Sequence, residues 1–337
     1  MPILRNFFKA LLSEMPDGVK AGWSVLGSGG IFLLLTVLVV LPQSGSADEG
    51  PPGTAMAANK VSWSDLTFTG SKFPAAFTVR MQLESMDDSP ANAASPENEE
   101  WGECPVAIRD DSMRLTIKAT LQVLGAEDRY EERVWFTAQD GLPYERDRLN
   151  RGDALWMKSY CWEDKGVRRR KFEPENPAEG QQSRPLWSQR TESLYRYPDN
   201  YTGCSAISDP ALIVYKISRL APGIGQDPFE LCVFGKKQLH RLIIRQGQAL
   251  PLKVAYTVQS ATRERTVVKD RILPLVYTVT SENIAAADQA PEAFSLFGLQ
   301  KDIRIYLDPS KGIPVRISGT AGPIGELDFE VQQATIN

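Results

Sequence analysis

Few residues of this chain have the types and spacing that catalysis requires. His240 is the sole histidine, and it alternates with apolar neighbours in Leu239–Arg245, so we predict a structural or surface role rather than general-base chemistry. The adjacent carboxylates Asp110 and Asp111 fall in a predicted loop, where water would solvate them. The sequence contains no Gly-x-Ser-x-Gly elbow, no phosphate-binding loop outside the apolar N-terminal segment and no metal-ligand pair on a helix. We therefore predict a non-enzymatic protein without a cofactor.

The four cysteines, Cys104, Cys161, Cys204 and Cys232, are the next reactive group. None is spaced Cys-x-x-Cys, and with one histidine available a zinc site is not expected. In an oxidising compartment four cysteines allow zero, one or two disulfides, with three possible full connectivities. We expect at least one bridge.

The densest basic run is Lys165–Lys171, KGVRRRK. On a hairpin, Arg168 and Arg170 would share one face and Arg169 would lie on the other. In a functional interpretation these three arginines contact an acidic partner or acidic lipid headgroups. The alternative is a solvated hairpin, balanced by the nearby acids Glu163, Asp164, Glu173 and Glu175.

Two groups of apolar residues could line a ligand cavity. Trp156, Tyr160 and Trp162 fall on one face of a single predicted strand, where the alternative is an aromatic core layer. A helix is predicted to begin at Asp209 as N-cap with Pro210 in its first turn. Its apolar positions lie three to four residues apart, and the predicted lining residues among them are Leu212, Ile213 and Ile217.

Most of the remaining exported part is predicted to form strands. Met113–Val123 alternates between apolar and polar residues throughout, which indicates a strand with one buried face. Turn residues separate further alternating stretches into hairpins, the predicted strands being Phe77–Glu84, Glu131–Thr137, Leu155–Trp162, Val167–Phe172, Phe229–Phe234, Leu239–Arg245, Leu250–Val258, Val267–Val279, Ile303–Leu307, Ile313–Ile317 and Leu327–Gln332. A second short helix is possible at Gln289–Phe297. The expected fold is mainly β: an antiparallel curved sheet or (half-)barrel with one or two packed helices, preceded by a single N-terminal transmembrane helix.

The N-terminus predicts the destination of this domain. Ala21–Leu41 is 21 residues long and apolar, enough to cross a bilayer as a helix. Basic residues precede it and acidic residues follow it, so residues 1–20 are expected in the cytoplasm. Residues 42–60 then form a tether, and residues 61–337 form the exported domain. The long, partly acidic leader favours an uncleaved signal-anchor, and the alternative is a signal peptide cleaved near Ala47.

Three stretches resemble the bacterial envelope family called domain of unknown function 3108. They are Asp209–Ile217, Gln226–Lys236, and Ile305–Asp308 together with Gly312–Ile317. The last is also similar to the closing hairpin of lipoprotein-carrier half-barrels. The resemblance covers the chain from about Asp140 onward and rests on structural motifs, so no functional residue is transferred. It implies a periplasmic curved sheet around a hydrophobic cavity that a helix partly covers.

Composition and resemblance together lead to two hypotheses. A net charge of −4 with 24% charged residues argues against nucleic-acid binding, which needs a basic excess. The leading hypothesis is an inner-membrane-anchored periplasmic protein that binds an apolar ligand, a lipid, a lipoprotein or an envelope partner. The alternative is a structural or assembly subunit of an inner-membrane complex. A binding protein should contain a continuous apolar cavity with the mid-chain helix as its lid.

Overall fold

The computed structural model describes residues 61–86, 104, 111–124, 126–152, 154–198, 204, 206–220, 228–284 and 291–337. The predicted leader, the Ala21–Leu41 segment, the tether and the Asp87–Glu103 loop lie outside the described residues. Inside them, no helix combines the length and apolar character needed to span a membrane.

Strands dominate the described residues. Their bounds are β1 Trp63–Lys72, β2 Ala75–Ser85, β3 Ser112–Val123, β4 Ala126–Thr137, β5 Pro143–Arg151, β6 Leu155–Glu163, β7 Gly166–Glu173, β8 Gln189–Arg196, β9 Ile207–Ser208, β10 Phe229–Phe234, β11 Leu239–Gly247, β12 Leu252–Gln259, β13 Arg265–Ile272, β14 Leu275–Ile284, β15 Lys301–Asp308, β16 Ile313–Ala321 and β17 Gly325–Ile336. The mainly β prediction is confirmed.

These strands form one large, open, curved sheet. Fifteen of them follow the pairing order β9-β10-β11-β14-β15-β16-β17-β1-β2-β3-β4-β5-β6-β7-β8, antiparallel except for β9 with β10. Strands β12 and β13 form a hairpin outside this order, which a short parallel pairing of β12 with β17 attaches to the sheet. Curvature brings the two ends of this order together, since the Tyr195 ring on β8 lies 5.8 Å from the Phe234 ring on β10. In the residues that the structure describes, β8 does not pair with β9 or β10, and the two ends are in contact through side chains.

The alternating patterns correctly located most strands. On β2, Phe77, Val79, Met81 and Leu83 are buried while the residues between them are exposed or half-buried. The predicted strand Val267–Val279 is instead divided between β13 and β14. Leu273 and Pro274 separate the two, because proline cannot donate a ladder hydrogen bond.

The predicted mid-chain helix is present as α1, Ile213–Leu220, preceded by a 3-10 turn at Pro210–Leu212. The Asp209 carboxylate accepts a hydrogen bond from the Ala211 backbone N–H at 2.7 Å, as an N-cap does. Buried side chains surround most of the helix, and it packs inside the curved sheet. It therefore fills the interior instead of covering a cavity as a lid.

The second predicted helix, Gln289–Phe297, is wrong in its described part. Residues 291–297 run without helical hydrogen bonds, and Leu296 pairs with Leu299 in an isolated bridge around a turn. Phe297 and Gly298 both have positive φ in this turn, at 50° and 84°. That backbone cannot continue a right-handed helix.

Two disulfides link Cys104 to Cys161 and Cys204 to Cys232, with Cα–Cα distances of 5.5 and 5.7 Å. The prediction of at least one bridge is confirmed. The bridges attach connecting segments to β6 and β10, on the two sides that the curvature brings together. Disulfides persist in oxidising compartments, so they indicate an extracellular or periplasmic domain.

Removal of either disulfide should destabilise the domain. The bridges span 57 and 28 residues, and on chain-entropy grounds each contributes about 4 kcal/mol, the longer loop slightly more. We expect the Cys104→Ser/Cys161→Ser variant to lose at least as much unfolding free energy as Cys204→Ser/Cys232→Ser. Denaturant unfolding of each variant measures this, and unchanged midpoints would contradict it.

Candidate functional site

Strand β5 is built largely from charged residues, yet it is buried on both faces. Glu145, Arg146 and Asp147 are all buried in succession. This strand was not predicted from the sequence, because it lacks apolar alternation. Its position between two predicted strands, bounded by the turns at Gly141 and Gly152, was the available signal.

Arg146 is the centre of a buried polar network. Its Nη1 donates to Asp209 Oδ2 at 2.6 Å and its Nη2 to the Gly235 carbonyl at 3.4 Å. Its guanidinium carbon lies 4.0 Å from the Tyr160 ring centroid and 5.6 Å from that of Trp162. A planar guanidinium combines such hydrogen bonding with stacking on aromatic rings, which lysine cannot reproduce.

A second set of bonds extends this network along β4 and β5. The Tyr130 hydroxyl donates to Glu132 Oε2 at 2.7 Å and accepts a hydrogen bond from Arg148 Nε. Glu132 Oε1 lies 3.8 Å from Arg146 Nε and 3.9 Å from Arg148 Nε. With Asp209, the network has two cations and two carboxylates, so they balance when all are ionised.

Burial controls the protonation of the neighbouring groups. Removal from water raises the pKa of Asp209 to about 6, outweighing the stabilisation of its charge by Arg146. Burial also raises the pKa of Tyr130 well above its usual value, so this phenol stays protonated. On β11, burial lowers the pKa of His240 to about 4, so its imidazole is neutral at pH 7.

The network forms one wall of a partly open cavity of about 120 Å³. His240 and the Gly235–Lys236 turn contribute a second polar edge. Ala293–Gly298 closes another side, in the segment for which a helix was expected. The apolar walls come mainly from aromatic and aliphatic side chains, namely Phe77, Val79, Ile117, Leu121, Phe294, Leu296, Phe297 and Phe329.

None of the six predicted lining residues lines this cavity. Leu212, Ile213 and Ile217 are fully buried in the main core, and α1 reaches the cavity only through Pro210 and Ala211 of the preceding turn.

The three predicted aromatic residues pack against cations. Tyr160 and Trp162 hold Arg146, and the Lys158 ammonium lies 4.1 Å from the Trp156 ring centroid. Trp156 and Tyr160 are buried and Trp162 is half-buried. This face of β6 therefore packs against the polar network through Arg146. The aromatic face was predicted from the sequence, but the arginine that packs on it was not.

The structure separates the three predicted partner-contacting arginines. Arg168 pairs with Glu163 at 2.6 Å and with Glu192 at 2.7 Å, and Arg170 pairs with Glu192 at 3.0 Å. Arg169 lies on the opposite face, its guanidinium 5.1 Å from the Tyr195 ring centroid. The three do not form one basic patch, and the balanced-hairpin alternative describes their environment better.

In the described part of the chain, no group of three or more His, Cys, Asp or Glu residues is arranged to hold a metal ion.

No protein-family model matches the chain, and no curated protein matches it. Among solved structures, it is similar to a β-barrel-like protein of domain of unknown function 1849 from Brucella abortus. The similarity covers 83% of this chain and 100% of that one, at 10% identity and a TM-score of 0.40. At this level the likeness gives no information on function.

The Arg146–Asp209 pair should be energetically coupled. Arg146→Met removes the counter-ion of the buried Asp209 carboxyl, which typically costs about 3–5 kcal/mol of unfolding free energy. Asp209→Asn in that background removes the ionisable group and retains an N-cap residue. We expect the double variant to recover about 1–3 kcal/mol relative to the sum of the single changes, in a denaturant-unfolding double-mutant cycle. Strict additivity would contradict the coupling.

His240 should make stability depend on pH. Its folded pKa of about 4 lies below its ordinary value of 6.5, so between these values the unfolded chain binds more protons. Unfolding free energy therefore falls as pH falls through this window, by about 3 kcal/mol at most. His240→Gln should remove this contribution, while the opposite contribution of Asp209 remains in both proteins. Denaturant unfolding at neutral pH and at about pH 4.5 tests the difference, and parallel pH profiles would argue against it.

Proposed function

We propose that this chain is a non-enzymatic exported binding protein whose cavity accepts a small apolar group. The observation that carries the proposal is the cavity itself, with aromatic and aliphatic walls and one polar wall built by Glu132, Arg146 and Arg148. Binding sites for small molecules combine these features: mostly apolar surface with a few fixed polar groups that orient the ligand.

The size of the cavity restricts its occupant. A volume of about 120 Å³ is close to that of cavities that hold one benzene-sized molecule, and is smaller than typical sites for drug-sized ligands. A complete lipid does not fit. The occupant is therefore a ring or the end of a chain, and the rest of an amphipathic molecule extends through the open side.

The polar wall favours an occupant without a buried charge. Arg146 is neutralised by Asp209, and Arg148 donates to Tyr130, which donates to Glu132. A ligand anion inserted here would compete with carboxylates already in place. A hydroxyl or carbonyl group would instead hydrogen-bond at the edge of the network while its apolar part contacts Phe294 and Leu296.

The membrane location belongs to the same proposal. Ala21–Leu41 has the length and flanking charges of a signal-anchor, and the two disulfides support an oxidising compartment beyond the membrane. The resemblance to the domain 3108 family, carried by Asp209–Ile217 and the final hairpin, supports a periplasmic location. The domain would then bind its ligand within tether reach of the inner membrane.

The filled interior supports a second candidate, an assembly subunit of a membrane complex. Ile213, Val214 and Ile217 of α1 are completely buried and occupy the space that a lipid carrier would leave for its cargo. An assembly subunit would keep a protein partner through purification in mild detergent, whereas the binding protein would keep a small molecule.

Filling the cavity should abolish binding. Ala119 lines it, and Ala119→Phe places a ring in the space for the ligand. Ala76 on the adjacent strand β2 is exposed and does not line the cavity, so Ala76→Phe is the matched control. We expect native mass spectrometry of gently purified full chain to show a bound small molecule in the wild type and control, and at least about tenfold less in Ala119→Phe.

A thermal melt must show that Ala119→Phe is folded, since overpacking typically costs about 1–3 kcal/mol. A wild-type chain without any bound molecule, or equal occupancy in all three proteins, would refute the binding proposal. A retained protein partner in all three would support the assembly subunit instead.

A further inference from the structure

The β12–β13 hairpin occupies an unusual position in the fold. Its neighbours in sequence, β11 and β14, pair with each other, so the hairpin leaves the order of the main sheet. Only Thr257–Gln259 pairs with β17, in parallel. Val254, Tyr256 and Val258 pack one face of the hairpin against the core, and the opposite face is largely exposed.

That outward face carries four cations and no carboxylate. In the hairpin register Lys253 is opposite Arg271, and the same face continues through Lys269 to Arg265, with neutral residues at the other positions. All four are exposed. Asp270 belongs to the alternate set of positions, opposite the buried Val254, but is itself exposed. It lines one hollow with Lys253, Lys269, Arg271, Arg316 and Glu330, in which four cations face two carboxylates. A local charge of four on one small surface contrasts with the net charge of −4 of the whole chain.

Within the described residues, none of these four cations forms an ion pair or side-chain hydrogen bond. The arginines of β7 differ in this respect, because Arg168 and Arg170 share Glu192. Two cations directly opposite each other on neighbouring strands repel and destabilise the pairing. The Lys253–Arg271 pair therefore does not stabilise the hairpin, and an anionic partner would remove its repulsion.

Exposed apolar side chains adjoin the cations. At the open end of the hairpin, Leu250 lies just before β12 and Leu273 just after β13, and their side chains are 70% and 60% exposed. Val267 lies on the cationic face itself and is 64% exposed. Cations beside exposed aliphatic side chains match the interface of an anionic bilayer, where headgroups meet the acyl boundary. A soluble polyanion would give no favourable environment to the leucines.

We propose that the outward face of β12–β13 docks on an anionic phospholipid membrane. Lys253, Lys269, Arg265 and Arg271 contact the headgroups, and Leu250 and Leu273 enter the interface. This surface is separate from the cavity described above, since none of these residues lines it. Membrane docking can therefore fail while ligand binding stands, and the reverse also holds.

Hydrogen exchange of the full chain added to vesicles tests the proposal. One vesicle type is pure phosphatidylcholine, and the other contains equal parts phosphatidylcholine and phosphatidylglycerol. We expect residues 250–273 to gain protection only on the anionic vesicles, and the protection to decrease with added salt. The readout is local, so any insertion of the N-terminal segment does not obscure it.

Charge neutralisation supplies the matched comparison. Each cation near an anionic surface contributes about fivefold in affinity. The Lys253→Gln/Arg271→Gln variant should therefore bind the anionic vesicles about 25-fold more weakly, measured as the lipid concentration that gives half of the full protection of this hairpin. The control variant Lys118→Gln/Arg304→Gln removes two exposed cations elsewhere on the sheet. It should change the affinity of the hairpin for anionic vesicles by less than about twofold.

Four results would overturn the proposal. Equal protection of the hairpin on phosphatidylcholine vesicles and on anionic vesicles would show that lipid charge does not drive the binding. Equal loss in both double variants would make the effect one of net charge. Stronger protection by soluble polyphosphate than by vesicles would assign the surface to a polyanion. Absence of protection in every condition would leave the cations as residues that prevent edge-to-edge pairing by β13.

Discussion

The buried contact between Arg146 and Asp209 connects three parts of the fold that are far apart in sequence. Arg146 belongs to β5, Asp209 begins the turn that leads into α1, and the Gly235 carbonyl that Arg146 also contacts lies in the β10–β11 turn. Each of these groups loses its hydrogen bonds to water on folding. The contacts among the three offset the free-energy cost of that desolvation. The position of α1 inside the curved sheet is thereby linked to the position of the charged strand beside it.

This constraint determines what the interior can hold. With α1 packed in the core, its apolar side chains take up space inside the curve, and the cavity described above lies between the polar network and the Ala293–Gly298 segment. Here movement of α1 would break the Arg146–Asp209 pair and expose Leu212 and Ile217 to water, which makes such movement costly.

Local patterns predicted the elements whose stability is local. Apolar alternation located β2 and β3, and the Asp209-Pro210 cap located the start of α1, because these features act within a few residues. Strand β5 was not predicted, since its charged side chains become tolerable in the interior only through partners such as Asp209, 63 residues away. The cavity was missed for the same reason: its walls come from strands and turns that meet only in the folded chain.

In the two basic hairpins, the neighbouring strands determine whether the cations are paired with acidic side chains. The run Lys165–Lys171 is denser in sequence, but β7 lies between β6 and β8, and Glu163 and Glu192 on these neighbours pair with its arginines. Strand β13 has a described neighbour on one side only, β12, and that strand contributes another cation, Lys253, instead of an acid. Cations on a strand paired on both sides meet cross-strand partners, whereas those on an edge strand keep their field directed outward. Sheet topology therefore decides which cations meet acidic partners: those on β7 do, and the sparser set on β12–β13 has no acid opposite it in the hairpin register.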